Sequence, residues 1–109
     1  MSIFRVSTPT DTFKLPFTTS ICSVIQVTYK QDDKSIVKTY KNGTVPDGMT
    51  LDGNYIVIRL TQAETKQFKA DEFVNVQVRV LTNSGDSFPS KIFKTYVDEV
   101  LNEEILLNG

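Results

Sequence analysis

No histidine and no tryptophan occur in this chain, and Cys22 is its one cysteine. Without histidine, the commonest general base and the commonest metal ligand are both missing. Serine triads and histidine-bearing zinc or iron sites cannot be built. One thiol makes neither an internal disulfide nor a multi-thiolate metal site. Cys22 sits in the apolar run Ile21-Cys22-Ser23-Val24-Ile25. That setting marks it as a small core filler and not a reactive nucleophile. The low cysteine count fits synthesis inside a cell. No catalytic, cofactor-binding or metal-ligating residue is expected, and the chain reads as non-enzymatic.

Charge of one sign is also lacking. Twelve Lys and Arg face thirteen Asp and Glu, a net −1. The lysines are dispersed instead of forming the basic patch of a nucleic-acid binder. No apolar stretch approaches the roughly 18 residues of a membrane span. Met1-Ser2-Ile3-Phe4-Arg5-Val6 has no basic segment leading into an apolar one, so no signal peptide is expected and the chain reads as complete. Length fits one domain.

What is present is a period of two. In Phe73-Val74-Asn75-Val76-Gln77-Val78-Arg79-Val80-Leu81 the four valines share one face and Asn75, Gln77 and Arg79 the other. This is the signature of a half-buried strand. Tyr55 to Leu60 repeats it with Ile56, Ile58 and Leu60 inward. Ile21 to Tyr29 places Ile21, Ile25, Val27 and Tyr29 on one side. Ser35 to Tyr40 reads as a strand near an edge, Ile92 to Val97 as another, and Ile3–Val6 and Thr12–Leu15 as weaker ones. Gln31-Asp32-Asp33-Lys34, Asn42-Gly43, Asp52-Gly53-Asn54 and Asn83-Ser84-Gly85-Asp86 supply turns. Pro16 and Pro89 suit strand ends or edges. The pattern predicts an all-β, immunoglobulin-like antiparallel β-sandwich over residues 1–97.

One segment departs from the period. Thr61 with Glu64 three residues on forms a capping box, which predicts a short helix near residues 61–68 anchored by Ala63 and Phe68. It would carry the chain from one sheet to the other. Residues 98–109 differ again. They hold four acids and no base, so the tail is −4 and the body, with twelve bases against nine acids, is near +3. Ile105-Leu106-Leu107 is an apolar triplet where chain ends are usually polar and frayed. It packs either on its own domain or on a partner. Completion of the sandwich at Val97 favours the partner.

The acid pairs Asp32-Asp33 and Asp71-Glu72 lack the oxygen-ligand spacing of a cation loop and read as solvated. Seven Phe and four Tyr fit strand packing. Tyr40 and Tyr55, beside Asn42 or Asn54, are candidates for an exposed aromatic platform that would contact a protein or a sugar.

Three stretches carry a family resemblance. They are Tyr55-Ile56-Val57-Ile58-Arg59-Leu60-Thr61-Gln62-Ala63-Glu64-Thr65-Lys66-Gln67-Phe68, then Val74 to Asp86, then Ser90 to Val97 with its Glu-Val-Leu-Asn-Glu-Glu end. The layout resembles small structural proteins of tailed phages and prophages of Gram-positive bacteria. It is also similar to the immunoglobulin-like amino-terminal domain of phage baseplate upper proteins. This chain ends soon after the sandwich, without a helical stalk, which favours a stand-alone virion component.

The resemblance implies a virion structural protein, made in the host cytoplasm, that docks on other virion proteins as a homo-oligomer or in many copies. Strand edges and the tail, with Ile105, Leu106, Leu107, Tyr40 and Tyr55, would form the interface. Nucleic acid, membrane and cofactors are not expected. The alternatives are a capsid decoration or head-fibre anchoring protein, and a carbohydrate-binding module for a host-surface glycan.

Overall fold

Burial follows the alternation of the sequence. Val74, Val76, Val78 and Val80 are buried, while Asn75, Arg79 and Leu81 are exposed. The computed structural model describes residues 2–108, so Met1 of the expected sandwich and Gly109 of the expected tail lie outside it. In chain order the elements are β1 (Ser2–Phe4), β2 (Thr10–Lys14), a 3-10 turn (Thr19–Ile21), β3 (Cys22–Gln31), β4 (Lys34–Lys41), β5 (Met49–Asp52) and β6 (Tyr55–Arg59). Helix α1 (Gln62–Lys66), β7 (Phe73–Thr82), β8 (Ser87–Pro89) and β9 (Phe93–Asp98) follow.

Two sheets stack. The wide one runs β1-β9-β7-β3-β4, with β8 beside the other end of β7, and the narrow one runs β2-β6-β5. This is an all-β immunoglobulin-like sandwich. One pair departs from the antiparallel pattern of the rest: β1 lies parallel to β9, with Ile3 opposite Val97. The chain crosses between sheets after β1, β2, β4 and β6. α1 makes the last crossing, as the capping box predicts.

The box is closed in both directions. The Glu64 amide donates to the Thr61 hydroxyl at 3.1 Å, and the Thr61 amide donates to the Glu64 carboxylate at 2.9 Å. Glu64 has a second partner, Lys38, at 2.6 Å. Lys38 lies opposite Val27, so it points between the sheets and joins β4 to α1. Phe68 anchors the segment at 1% exposure. Ala63, the other expected anchor, is exposed, and Thr65 is buried in its place. The Thr65 hydroxyl donates to the Ser7 carbonyl and accepts from the Ser7 amide, both at 2.9 Å. A hydroxyl that makes both bonds is worth more at that buried position than a methyl.

Two further expectations shift. Ile21 lies on the surface because a bulge between Cys22 and Val24 moves the parity of β3 by one residue, burying Cys22 beside Ile25. Ile92 precedes β9 and is exposed. Asn42 and Gly43 both have positive φ and join Lys41 to Thr44, the geometry of a two-residue turn that matches strand twist. Gly48 is required where it stands. Its φ is +81°, and a Cβ there would lie 2.4 Å from the Arg59 carbonyl oxygen.

One hydrogen bond crosses the core. The Tyr29 hydroxyl, on the wide sheet, donates to Asp11 on β2 at 2.6 Å. Both side chains are buried. Burial is the main cause that holds the Asp11 carboxyl above its ordinary value, and the Tyr29 hydroxyl partly offsets it. Burial, with Asp11 beside it, pushes the Tyr29 hydroxyl up as well. Tyr29→Phe strands a buried acceptor, so it is expected to cost about 1–3 kcal/mol in chemical denaturation at neutral pH.

Asp11→Asn keeps the acceptor and removes the titration. A raised folded pKa means that the folded state binds the proton more tightly. Stability from Asp11 therefore falls as pH rises from 3.8 through the raised folded value. The difference in melting temperature between Asp11→Asn and the parent chain is expected to grow across that window and then level off. A flat difference would place Asp11 in water. Glu64 acts with opposite sign. Burial opposes its charge, but Lys38 and the Thr61 donors outweigh burial and hold it below its ordinary value. Its contribution is lost as pH falls through that lowered value.

Candidate docking surface

The tail after β9 folds back along its own domain without forming a strand or helix. Two contacts hold it. Glu103 pairs with Arg5, whose guanidinium also donates to the Lys66 carbonyl at 3.0 Å. The Gln62 side chain grips the Leu106 backbone from both sides, donating to its carbonyl and accepting from its amide at 2.9 Å each. The segment is placed, but its apolar side chains are not covered. Leu101, Leu106 and Leu107 are 104%, 75% and 85% exposed, and Ile105 is at 36%. An open cavity of about 470 Å³ remains between Ile105–Leu107 and the end of β6 with Arg59 and Leu60. The expected interface residues Ile105, Leu106 and Leu107 therefore stand together on the surface.

Tyr40 and Tyr55 do not join them. Tyr40 lies opposite Ile25 on the inner face of the wide sheet and packs against the core. Tyr55 lies on the outer face of the narrow sheet, two residues before Val57. Facing in unrelated directions, they form no shared aromatic platform.

The sequence did not signal the second feature, an unpaired edge beside an apolar groove. β2 pairs with β6 on one side. Leu60 donates to the Pro9 carbonyl and Leu15 to the Asn54 carbonyl. In an antiparallel ladder that phase turns the backbone groups of Asp11 and Phe13 toward β6. It turns those of Thr10, Thr12 and Lys14 away, and among the described residues no strand pairs with that edge.

Beside this edge, between β2 and the β8–β9 side of the wide sheet, runs a groove. One lobe of about 530 Å³ is lined by Phe13, Leu15, Val78 and Phe93. A second lobe of about 450 Å³ shares Leu15 and Val78 with it and continues to Phe17, Val80 and Phe88. Lys14 and Lys94 stand on its rim, and Lys91 lies 5.7 Å from the Phe93 ring centre. Among the described residues no acid lines either lobe.

The remaining candidates are structural. Cys22 is buried, and burial pushes its thiol up, which disfavours the thiolate. Asp32 pairs with Lys69 at 3.4 Å, and Asp71 accepts from the Tyr96 hydroxyl at 3.2 Å. Among the described residues no group of three Cys, Asp or Glu is placed to hold a metal, and no helix is long and apolar enough to cross a membrane.

No protein-family model matches the chain, and neither does any curated protein sequence. The groove and the tail therefore stand on their own chemistry.

The Gln62 grip is exposed and weak by nature. Gln62→Ala is expected to speed amide exchange at Leu106 at least several-fold, while global stability changes by less than about 1 kcal/mol. Unchanged exchange at Leu106 would show that the grip does not hold the tail.

Proposed function

We propose that this chain is a non-catalytic structural protein of a tailed-phage virion, docking on a larger assembly through a strand edge and its C-terminal segment. The observation that carries the reading is the exposed set Leu101, Leu106 and Leu107 on a segment whose backbone is tethered to the domain. Large apolar side chains exposed at a surface mark a site of association. The unpaired β2 edge adds a second means of attachment, since a strand edge binds through main-chain hydrogen bonds and reads side chains at alternate positions. The layout of residues 55–97 and the Glu-Val-Leu-Asn-Glu-Glu end supplies the resemblance to virion proteins.

A tail or baseplate position and a capsid-decorating or head-fibre position share this surface chemistry. A glycan platform has less support, because Tyr40 and Tyr55 face apart. The reading is tested on density-gradient virions from the strain that carries the gene, with heads and tails separated and peptides of this chain counted by mass spectrometry. Fixed stoichiometry in one fraction is the expected result. Absence from purified particles, with the protein present in the lysate, overturns the virion reading.

A further inference from the structure

We infer that the C-terminal segment of one copy adds as a strand to the free edge of β2 in a second copy, laying its apolar side chains in the adjoining groove. This deepens the docking reading above by naming the partner as the chain itself.

The narrow sheet lacks a strand at this position. β1 pairs with β9 in the wide sheet, so among the described residues no strand lies beyond β2 in the narrow one. Thr10, Thr12 and Lys14 direct their amides and carbonyls outward there. A strand placed on that edge passes over the groove floor formed by Phe13, Leu15, Val78 and Phe93.

Charge selects the occupant. The groove rim carries Lys14, Lys91 and Lys94 and, among the described residues, has no acid in its lining. The segment after β9 carries Glu99, Glu103 and Glu104 and has no base. As an extended strand it sets Ile105 and Leu107 on one face, two residues apart, with Glu103 and Glu104 leading into them. The eight residues from Asp98 to Ile105 span up to about 25 Å when extended, which reaches a neighbouring copy.

The position of the segment on its own domain is a poor competitor. It leaves three leucines in water and a cavity beneath Ile105–Leu107. Donor and acceptor are different surfaces, so the contact is head-to-tail. A copy that has received a tail still has its own to give, and such contacts build rings or open chains.

The test uses the full chain and two variants in native mass spectrometry across the micromolar range. Thr12→Pro removes an amide that points away from β6, so it blocks the acceptor edge and spares the ladder. Ile105→Asp with Leu107→Asp disables the donor. The full chain is expected to form dimers and larger species. Each variant alone is expected to associate at least about tenfold more weakly. An equal mixture of the two is expected to give heterodimers and nothing larger, because one intact tail meets one intact groove. Should Thr12→Pro lower the melting temperature, Lys14→Glu with Lys94→Glu replaces it as the blocked acceptor.

A full chain that stays monomeric, association undiminished by the acceptor change, or a mixture that stays monomeric overturns the inference. Virions that contain the protein would leave the virion reading standing in that event. Self-association of a protein absent from virions would do the reverse.

Discussion

A β-sandwich closes where both sheets supply a face, and here the sheets differ in width. One is five strands across and the other three. The parallel pairing of β1 with β9 sets that inequality, since it places β1 in the wide sheet and leaves β2 at the margin of the narrow one. The core is complete where the sheets overlap, around Ile25, Val27, Val76, Ile56 and Ile58, all at 0% exposure. Beyond β2 the cover of the wide sheet thins, and Phe93 and Phe88 line a groove that reaches down to the buried Val78. The Tyr29–Asp11 bond sits just inside that margin. It fixes β2 to the wide sheet from within and lets the outer edge of β2 remain unpaired without the strand lifting away.

Electrostatics complements this asymmetry. Net charge near zero conceals a basic body and an acidic tail. Within one copy the two meet through Arg5 and Glu103, both half-buried. Arg5 also donates to the Lys66 carbonyl, so salt screens the pair only in part. Seating apolar side chains supplies more, and both the groove and the cavity beside Ile105–Leu107 offer room for them. A tail whose leucines stay in water is suited to exchange between a resting position and a partner.

Much of the fold was legible in the sequence because it rests on short-range rules. Alternation at Val74–Val80 and Ile56–Leu60 names the buried face, and Thr61 with Glu64 names the crossing helix. What was not legible depends on distant partners. The bulge that exposes Ile21 arises from how β3 meets β7. Thr65 outranks Ala63 because Ser7, 58 residues away, supplies two hydrogen bonds. Tyr40 and Tyr55 read as one platform until their sheets assign them to different faces. The tail triplet was visible as an oddity, whereas the Gln62 grip and the groove emerge once the two sheets are stacked.

Residue-resolved amide exchange in β2 tests the account most directly. Asp11 and Phe13 donate to β6 and are predicted to be protected at every protein concentration. Thr10, Thr12 and Lys14 are predicted to exchange freely in dilute protein and to slow together as concentration rises, as a donated strand takes up their hydrogen bonds. Exchange at those three amides that is fast at all concentrations, or slow even in dilute protein, would contradict an open edge waiting for a second copy.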